Sequence, residues 1–288
     1  MKAESSLHRG KAFQTGVALL ERAGISNPAL DASVLLGHTI GKTAATILME
    51  RNATLTAEEA ALFQDLIERR CRRETLSRLI GKKEFYSRSF RTTRDVLDPR
   101  PETEILVERS LESFGSFCGS PKVLDVGTGS GAIAVTLAAE SPGSFVVATD
   151  ISMAALGIAL GNAEDHGVLD RIRFIATDLA SSLVETARFD VIVSNPPYVS
   201  RTEYPTLPLE VLQGDPVEAL VAGPEGTEFY PVLAELACKL LNPGGHLLVE
   251  VGCGQSPFVE SLFKSKGFEN VEAFPDLAGI ARVVRGTR

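Results

Sequence analysis

Four consecutive residues, Asn195-Pro196-Pro197-Tyr198, offer the groups most suited to chemistry in this sequence. They follow the apolar run 191–193 and Ser194, which predicts that they lie where a strand ends. Residues before a proline favour extended backbone, and the two prolines carry no N–H group. The segment, called here the Asn-Pro-Pro-Tyr corner, therefore presents outward carbonyls, one amide and one aromatic face. These groups can hold a planar amide or amine nitrogen and cover it.

A glycine-rich loop, Gly127-Thr128-Gly129-Ser130-Gly131, follows a predicted strand at 122–126 and precedes a predicted helix. In an open α/β sheet this is where a nucleotide-like ligand binds, because glycines let the backbone approach the ligand closely. Asp150 ends the next predicted strand, 23 residues after Gly127. Its carboxylate can accept hydrogen bonds from both hydroxyls of a ribose.

The glycine spacing alone leaves the ligand open. With Ala132 at the position of the third glycine, the loop also fits the Gly-x-Gly-x-x-Gly/Ala fingerprint of dinucleotide-binding proteins, so NAD is an alternative ligand. A glycine turn that binds no ligand is another alternative. Asp125, two residues before the first glycine, would repel a pyrophosphate and suits the ammonium group of an amino acid. S-adenosylmethionine carries that ammonium and no phosphate, so the pattern favours it.

The composition indicates a soluble globular protein of one large or two ordinary domains, with 288 residues, 44% hydrophobic and 23% charged. Residues 1–10 lack the apolar segment of a secretory signal, and no apolar run approaches the length of a membrane span. We therefore expect a cytoplasmic protein without membrane contact. The four cysteines and four histidines are dispersed, which predicts reduced thiols and no metal site.

Charge is divided unevenly along the chain. Residues 1–95 hold 16 basic against 11 acidic side chains, and residues 96–288 hold 13 against 26. The basic excess lies between Arg69 and Arg94, either as a solvated face or as a docking surface for a ribosome-associated or acidic partner. The acidic second part argues against duplex DNA lying across it, so no direct DNA binding is expected.

The elements that position these residues follow from capping signals and hydrophobic periodicity. Helices are predicted from about Lys11 to Ala23, from Asn27-Pro28 to Gly41, and from the capping box that Thr56 opens. Residues 80–98 alternate apolar with polar side chains, which predicts a hairpin, and a helix runs through Ile105-Leu106-Val107. From residue 121 strands alternate with helices, which is typical of a parallel, doubly wound sheet. The expected strands are 122–126, 145–149, 171–176, 190–193 and 246–251, with two more at the C-terminus. The expected helices are 132–139, 153–163, 228–241 and 257–266. The third of these helices is expected to end at Asn242-Pro243-Gly244-Gly245.

Read together, the glycine loop, Asp150 and the corner resemble the class I S-adenosylmethionine-dependent methyltransferases. More narrowly, the chain resembles the release factor glutamine methyltransferase family, also called PrmC or HemK, over nearly its whole length. The segment Pro99-Arg100-Pro101-Glu102-Thr103-Glu104 together with the corner is highly specific, whereas amino-methylating DNA and RNA enzymes share the corner alone. The other shared segments are Gly81–Phe85, Asp215-Pro216, Ala219-Leu220, Glu250-Val251-Gly252 and Gln255.

The resemblance implies an α/β fold, a Rossmann-like and mostly parallel seven-stranded sheet, with a small N-terminal helical domain and a β-hairpin linker. It implies a substrate-recognition domain at 1–78, the linker at 79–98 and the methyltransferase domain at 99–288. It also implies methylation of the side-chain nitrogen N5 of the glutamine in the Gly-Gly-Gln motif of class 1 peptide chain release factors, which modulates translation termination.

Carried over by position, the resemblance implies that Asp125, Gly127–Gly131, Asp150, Asp178, Leu179 and Asn195 bind the cofactor. Asn195, Pro196, Pro197 and Tyr198 would bind the glutamine, with Asn195, Pro196 and Tyr198 catalytic. Many members have tryptophan where Leu179 stands, so we expect packing on the adenine without stacking. Glu102 and Glu104 either complement the N-terminus of a helix or serve as a cofactor lid. Residues 224–227 depart from the Asp-Gly-Leu usual in the family.

An amide nitrogen is a weak nucleophile, so its orientation toward the methyl group matters most. We hypothesise that the Asn195 side-chain oxygen and the Pro196 carbonyl accept the two amide hydrogens while Tyr198 covers the amide plane. No strong base is required. The alternatives are glutamine methylation of a ribosomal protein, adenine-N6 methylation of nucleic acid, and a cofactor-binding regulatory protein without turnover.

Overall fold

The computed structural model describes residues 7–117, 119–184 and 186–288, and the side chains of residues 44, 45 and 48 are not described. Cys118, one of the four dispersed cysteines, lies outside the described residues. Contacts divide the chain into two units, which we describe separately. One is Met1–Gly81 with Pro208–Gly214, and the other is Lys82–Leu207 with Asp215–Arg288.

The first unit is helical. Its helices are α1 (Arg9–Arg22), α2 (Pro28–Ile40), α3 (Ala44–Met49), α4 (Ala57–Cys71), α5 (Leu76–Ile80) and, from later in the chain, α9 (Leu209–Gly214). The capping box that begins α4 is present, with Glu59 N donating to the Thr56 hydroxyl and Thr56 N donating to the Glu59 carboxylate. Gly41 ends α2 in the left-handed conformation. Asn27 makes no capping hydrogen bond with its side chain, because its backbone lies outside the extended region that an N-cap adopts.

Part of the basic run is neutralised inside this helical unit. Arg70 pairs with Asp31 at 2.7 Å, and Arg73, two residues after α4, pairs with Glu210 of α9 at 3.1 Å. Arg69 pairs with Glu74 at 2.6 Å. These pairs favour a structural role over a free docking surface for the three arginines that form them.

The second unit is built on a seven-stranded sheet with the order β10-β11-β9-β6-β3-β4-β5. Strands β9, β6, β3, β4 and β5 are parallel, and β11 pairs antiparallel with β9 and β10. The predicted mostly parallel sheet is therefore confirmed. The strands are β1 (Lys82–Phe85), β2 (Arg88–Arg91), β3 (Lys122–Val126), β4 (Phe145–Asp150), β5 (Ile172–Ala176), β6 (Phe189–Ser194), β7 (Val199–Ser200), β8 (Val221–Gly223), β9 (Leu241–Glu250), β10 (Glu269–Pro275) and β11 (Ala281–Thr287).

Helices cover both faces of the sheet, and successive residues of a central strand face opposite cores. Val123 packs into one core and Leu124 into the other, as the period of a strand requires. The helices of this unit are α6 (Thr103–Phe114), α7 (Ala132–Glu140), α8 (Met153–Asp165), α10 (Phe229–Leu240) and α11 (Ser256–Ser265). No helix among the described residues combines the length and apolar composition that a membrane crossing needs.

The β1–β2 hairpin packs as part of the sheet unit. Tyr86 and Ser87 connect its strands with positive φ angles of 50° and 56°, the backbone of a tight two-residue hairpin turn. Glu104 accepts a hydrogen bond from Tyr86 N at 2.7 Å, and Phe85 and Phe90 are fully buried in the core that α7 covers. The segment expected to link two domains is thus held by apolar packing and by a side chain of α6.

The residues Asn242-Pro243-Gly244-Gly245 do not separate α10 from the next strand, which corrects the prediction. Strand β9 begins at Leu241, and its pairing with β6 jumps from Phe189–Leu241 to Val191–His246. The extra residues form a bulge that the C-terminus of the chain holds, because Gly244 N donates to Arg288 O and Arg288 N donates to Gly245 O.

Candidate active site

The glycine loop turns sharply between β3 and α7. Gly127 N and Thr128 N both donate to the carbonyl of Thr149, each at 2.9 Å, which anchors the loop to the end of β4. Gly127 and Gly129 have φ angles of 74° and 55°, in the region that favours glycine. No non-neighbouring atom of the described chain lies within 4 Å of where a Cβ would stand at either position. The loop therefore leaves room for a ligand against its backbone.

Asp150 lies directly against this loop. Its two carboxylate oxygens accept hydrogen bonds from Gly129 N at 2.8 Å and Ser152 N at 2.9 Å. The structure thus brings the loop and the acid together at the carboxyl ends of β3 and β4. Each carboxylate oxygen has a further lone pair, so the acid can also accept from ligand hydroxyls.

Asp125 is fully buried beneath the glycine loop. One of its oxygens accepts a hydrogen bond from the Thr128 hydroxyl at 2.6 Å, and the other has no partner among the described residues. The pKa of Asp125 is raised to about 7, mainly by burial and to a smaller extent by the charge of Asp150, while the Thr128 hydroxyl and the nearby backbone N–H of Ala134 act in the opposite direction. A buried carboxyl with an unsatisfied oxygen fits a cationic ligand group nearby.

Asp178 and Leu179 follow β5, in a segment whose Thr177 N donates to Asp150 O at 2.9 Å. Asp178 is exposed. Leu179 is half-buried and packs against the core beneath α10, with a left-handed φ angle of 52° that is costly for a side chain with a Cβ. The structure therefore places both residues beside the segment that Asp150 ends.

The corner follows β6, whose register places its last residue, Ser194, beside Val126 of β3. The Asn195 side-chain nitrogen donates to the hydroxyl of Thr103 at 3.2 Å, so Nδ2 faces the start of α6 and Oδ1 points away from that contact. Thr103 belongs to the Pro-Arg-Pro-Glu-Thr-Glu segment. The two most specific segments of the sequence, 92 residues apart between these two side chains, thus meet in one hydrogen bond.

Tyr198 is fixed at both its hydroxyl and its backbone. The hydroxyl lies 3.4 Å from the Glu250 carboxylate, and burial raises the pKa of Tyr198 well above its usual value, which keeps the phenol neutral. Gln255 donates to the Tyr198 carbonyl at 2.9 Å, and its own oxygen accepts from the Tyr230 hydroxyl at 2.7 Å and from Gly252 N at 3.0 Å. The sequence identified Gln255 only as part of a shared segment. Its role in joining Tyr198, Tyr230 and Gly252 depends on residues that are mostly far apart in the chain.

The segment at 224–227 packs directly on the corner, which gives a physical reason for its glycine. Gln255 donates to Gly226 O at 3.2 Å, and a Cβ at Gly226, where φ is 81°, would lie 2.6 Å from the Tyr198 carbonyl oxygen. The neighbouring strands β7 and β8 pair with each other, and Val199 N donates to Leu220 O. The backbone after Tyr198 is thereby held from two sides.

The arginine of the Pro-Arg-Pro-Glu-Thr-Glu segment forms an ion pair with Asp215, a buried residue of another shared segment. Glu104 lies in the first turn of α6, which is the helix-terminus role considered for it from the sequence, and its carboxylate also accepts a hydrogen bond from Tyr86 N of the hairpin turn. Glu102 directly precedes α6 and lies near enough to raise the pKa of Glu250. These contacts assemble the shared segments around the corner.

Asn162 in α8 is a further residue of the site that sequence reasoning missed. It is fully buried, donates to the carbonyl of Ser130 in the glycine loop at 2.8 Å, and accepts from Arg91 N at 2.8 Å. It therefore ties the hairpin strand β2 to the glycine loop. An asparagine within a predicted helix gave no signal of this role.

Comparison with known proteins decides the family. A model described as the PrmC N-terminal domain matches residues 11–81, and one described as the methyltransferase small domain matches residues 95–214. A release factor glutamine methyltransferase of Nitratidesulfovibrio vulgaris is 40% identical over 93% of this chain and 91% of its own length. The chain belongs to the release factor glutamine methyltransferase family.

Solved structures agree on the fold of this family member. The hMettl16 catalytic domain in complex with MAT2A 3'UTR hairpin 6 matches with a TM-score of 0.56 and 15% identity, over 82% of this chain and 84% of that one. The T. thermophilus 16S rRNA N2 G1207 methyltransferase in complex with AdoMet and guanosine matches with a TM-score of 0.51 and 23% identity, over 72% of this chain and 49% of that one. At this identity the likeness concerns the methyltransferase fold alone. Within the described residues no group of three or more His, Cys, Asp or Glu side chains could hold a metal ion.

Proposed function

We propose that this protein transfers a methyl group from S-adenosylmethionine to N5 of the glutamine in the Gly-Gly-Gln motif of class 1 peptide chain release factors. The observation that carries the proposal is the Asn195–Thr103 hydrogen bond, which turns the amide oxygen of the corner away from Thr103. In this orientation the corner offers an acceptor to a planar N–H₂ group. The family of the chain supports glutamine as the owner of that group.

The loop at 127–131 with Asp125, Asp150, Asp178, Leu179 and Asn195 is the proposed cofactor site. Asp150 would accept the ribose hydroxyls, and the unpartnered oxygen of buried Asp125 suits the ammonium group of the cofactor. The open backbone at Gly127 and Gly129 allows close approach. When bound, S-adenosylmethionine supplies an electrophilic methyl group on a sulfonium, and S-adenosylhomocysteine is its product.

The corner residues would orient the substrate amide. Asn195 Oδ1 and the Pro196 carbonyl accept its two hydrogens, which directs the nitrogen lone pair and stabilises the positive charge that develops on nitrogen. Pro197 keeps the backbone of the corner extended, and Tyr198, fixed by Gln255 and Glu250, covers the amide plane. The proton then leaves to water, so no strong base is needed.

For the partner, we propose that residues 1–78 recognise the release factor and that residues 99–288 carry out the reaction, with the linker at 79–98. The acidic balance of the second part supports a protein substrate over duplex DNA. We also infer a cytoplasmic location, in agreement with the unpaired state of Cys71, Cys238 and Cys253.

A methylation assay with labelled S-adenosylmethionine tests the substrate. The acceptors are a class 1 release factor, the same factor with its Gly-Gly-Gln glutamine replaced, a ribosomal protein fraction and DNA. We expect label on the intact release factor alone. Label on DNA or on ribosomal protein, or label that persists on the glutamine variant, would refute the proposed acceptor.

Asn195→Ala tests the role of the corner. We expect kcat to fall by at least about a hundredfold, the order of loss when an oriented transition-state partner is removed. The Kd for S-adenosylmethionine should rise far less, because Asn195 is only one of several residues of the proposed cofactor site. Titration calorimetry gives the Kd and the labelled assay gives kcat. Thr202→Ala, an exposed substitution beyond the corner, is the matched control. Equal losses of turnover and cofactor affinity would contradict an orienting role.

A further inference from the structure

The hydroxyl of Thr103 lies between the corner and a buried carboxyl group. On one side it accepts a hydrogen bond from Asn195 Nδ2 at 3.2 Å. On the other side it is near enough to Glu250 to lower the pKa of that carboxyl. Glu250 ends β9, is 2% exposed, and also faces the Tyr198 hydroxyl at 3.4 Å. Asn195, Thr103 and Glu250 thus form a chain of polar groups beneath the corner.

The direction of hydrogen bonding along this chain follows from donor and acceptor counting. A hydroxyl has one hydrogen and two lone pairs, and an ionised carboxylate can only accept. If Thr103 gives its hydrogen to Glu250, it has only lone pairs left for Asn195. The amide must then present its N–H₂ group to Thr103, and its oxygen must face the other way. One charged group can therefore decide the orientation of an amide that it does not touch.

We propose that Glu250, acting through Thr103, is a positioning residue that fixes the Asn195 amide with its oxygen toward the substrate glutamine. The inference rests on the proposed function for its substrate but not for its geometry. It assigns to Thr103 and Glu250 a shared role: they set the direction of the acceptor, and the same carboxylate anchors Tyr198. Neither residue would touch the reacting atoms.

The surroundings of Glu250 make this arrangement sensitive to pH. The pKa of Glu250 is raised to about 7, mainly by burial and also by the charge of Glu102, while the hydroxyls of Thr103 and Tyr198 and the charge of Arg282 act in the opposite direction. One carboxylate oxygen, Oε2, has no hydrogen-bond partner among the described residues. The titratable and charged groups that face Glu250 are Glu102 before α6, Tyr198 in the corner, Tyr230 on α10 and Arg282 on β11.

Protonation of Glu250 would remove the constraint. A neutral carboxyl can donate its own hydrogen to Thr103, and Thr103 can then donate to Asn195 Oδ1, which reverses the amide. Turnover at saturating cofactor and substrate should therefore rise with pH up to about 7 and then level off. Below that value kcat should fall by up to about tenfold per pH unit, the limiting slope for loss of one ionised group.

Three substitutions test the proposal in the full-length protein. Thr103→Val keeps the shape and removes the hydroxyl, Thr103→Ser restores the hydroxyl, and Glu250→Gln keeps the shape but can donate as well as accept. We expect Thr103→Val and Glu250→Gln to lower kcat by about fivefold or more at pH 8, roughly the value of one hydrogen bond, with the cofactor Kd within about twofold of wild type. Thr103→Ser should retain most of kcat. Glu250→Gln should also lose the rise of kcat toward pH 7.

A substrate-independent measurement accompanies the kinetics. Neutron diffraction on deuterated crystals distinguishes N–D₂ from O in the Asn195 amide, and we expect N–D₂ toward Thr103 in wild type and a reversed or mixed amide in Glu250→Gln. An unchanged amide together with full kcat and an unchanged pH profile in that variant would overturn the inference. If wild type fails to label the release factor while the amide still reverses, the proposed function fails and the positioning role stands. Thermal melting of each variant identifies any loss that comes from unfolding.

Discussion

The buried carboxyl of Asp125 should couple cofactor binding to proton release. Asp125 is fully buried, one oxygen is bonded to Thr128 at 2.6 Å, and the other has no partner among the described residues. Its pKa of about 7 means that near neutral pH the free protein is a mixture of neutral and ionised forms. In the proposed complex the ammonium of S-adenosylmethionine favours the ionised form, so binding must expel the proton from the neutral fraction.

The size of the effect follows from this pKa. At pH 7 about half of the free protein is protonated and at pH 6 about nine-tenths, so binding should release about 0.5 and about 0.9 protons respectively. Because only the ionised form binds well, the Kd should be about fivefold weaker at pH 6 than at pH 7. This window lies below the ordinary pKa of an α-amino group, about 7.7–8.0, so the ligand stays protonated throughout.

Titration calorimetry in buffers of different ionisation enthalpy measures both the Kd and the number of protons released. The informative variant is Asp125→Asn, which keeps the shape and an acceptor for Thr128 but cannot ionise. We expect it to bind S-adenosylmethionine more weakly than wild type, with no pH dependence between 6 and 7. Asp178→Asn, which changes an exposed acid of the same proposed site, is the matched control and should keep the dependence.

A second ligand separates the ammonium effect from other pH effects. 5′-Methylthioadenosine has the nucleoside and a thioether but no amino acid, so its Kd should be the same at pH 6 and pH 7 and in Asp125→Asn. A flat Kd for S-adenosylmethionine without proton release would refute the reasoning. Equal pH dependence for both ligands would do so as well, since the carboxyl would then respond to something other than the ammonium.

Three further predictions concern the framework of the site. Asn162→Ala leaves the Ser130 carbonyl and Arg91 N without their buried partner, so it should lower the free energy of unfolding by about 1–3 kcal/mol in denaturant titration and weaken cofactor binding. The control Asp165→Asn, at an exposed ion pair with the same arginine, should have neither effect. Gly226→Ala places a Cβ 2.6 Å from the Tyr198 carbonyl oxygen at a φ angle of 81°, so it should reduce kcat far more than Glu225→Ala at the exposed neighbouring position. Equal activity of the two variants would count against the contact. The pKa values of Asp125 and Glu250 are raised to about 7 in the folded protein, so their contribution to stability is fully present below about pH 4 and is lost as pH rises to about 7. Asp125→Asn cannot ionise, so chemical denaturation should show that it gains stability relative to wild type over that range.

Local signals in the sequence predicted most of the elements. The capping box of Thr56 and the glycine at 41 locate helix ends by local effects. Thr56 and its partner bond the free backbone N–H groups at the start of a helix, and Gly41 adopts the left-handed conformation that ends one. The alternation of strands and helices gave the sheet, whose β3 matches its prediction at both ends. The bulge at 242–245 was missed, since Pro and Gly also signal a turn and only pairing with β6 and with the C-terminus distinguishes the two.

The contacts that orient the candidate site could not be predicted in the same way. Gln255 joins Tyr198, Gly226 and Tyr230, and Asn162 joins Arg91 to Ser130, but each is one polar residue without a periodic or capping pattern. Their partners become neighbours only after the sheet has formed. The sequence indicates such residues through a shared segment at best, and their geometry comes from the fold.

The corner needs its amide not only to be present but also to be oriented, with the oxygen toward the substrate. The Asn-Pro-Pro-Tyr segment provides an amide whose two ends, oxygen and N–H₂, have almost the same shape and opposite hydrogen-bonding character. Packing alone cannot choose between them, so the choice requires a hydrogen-bond partner of fixed polarity. In this fold that partner is Thr103, and the group able to fix its polarity is the carboxyl of Glu250. This requirement explains why a threonine hydroxyl and a buried acid lie beneath a site whose proposed chemistry needs neither a nucleophile nor a strong base.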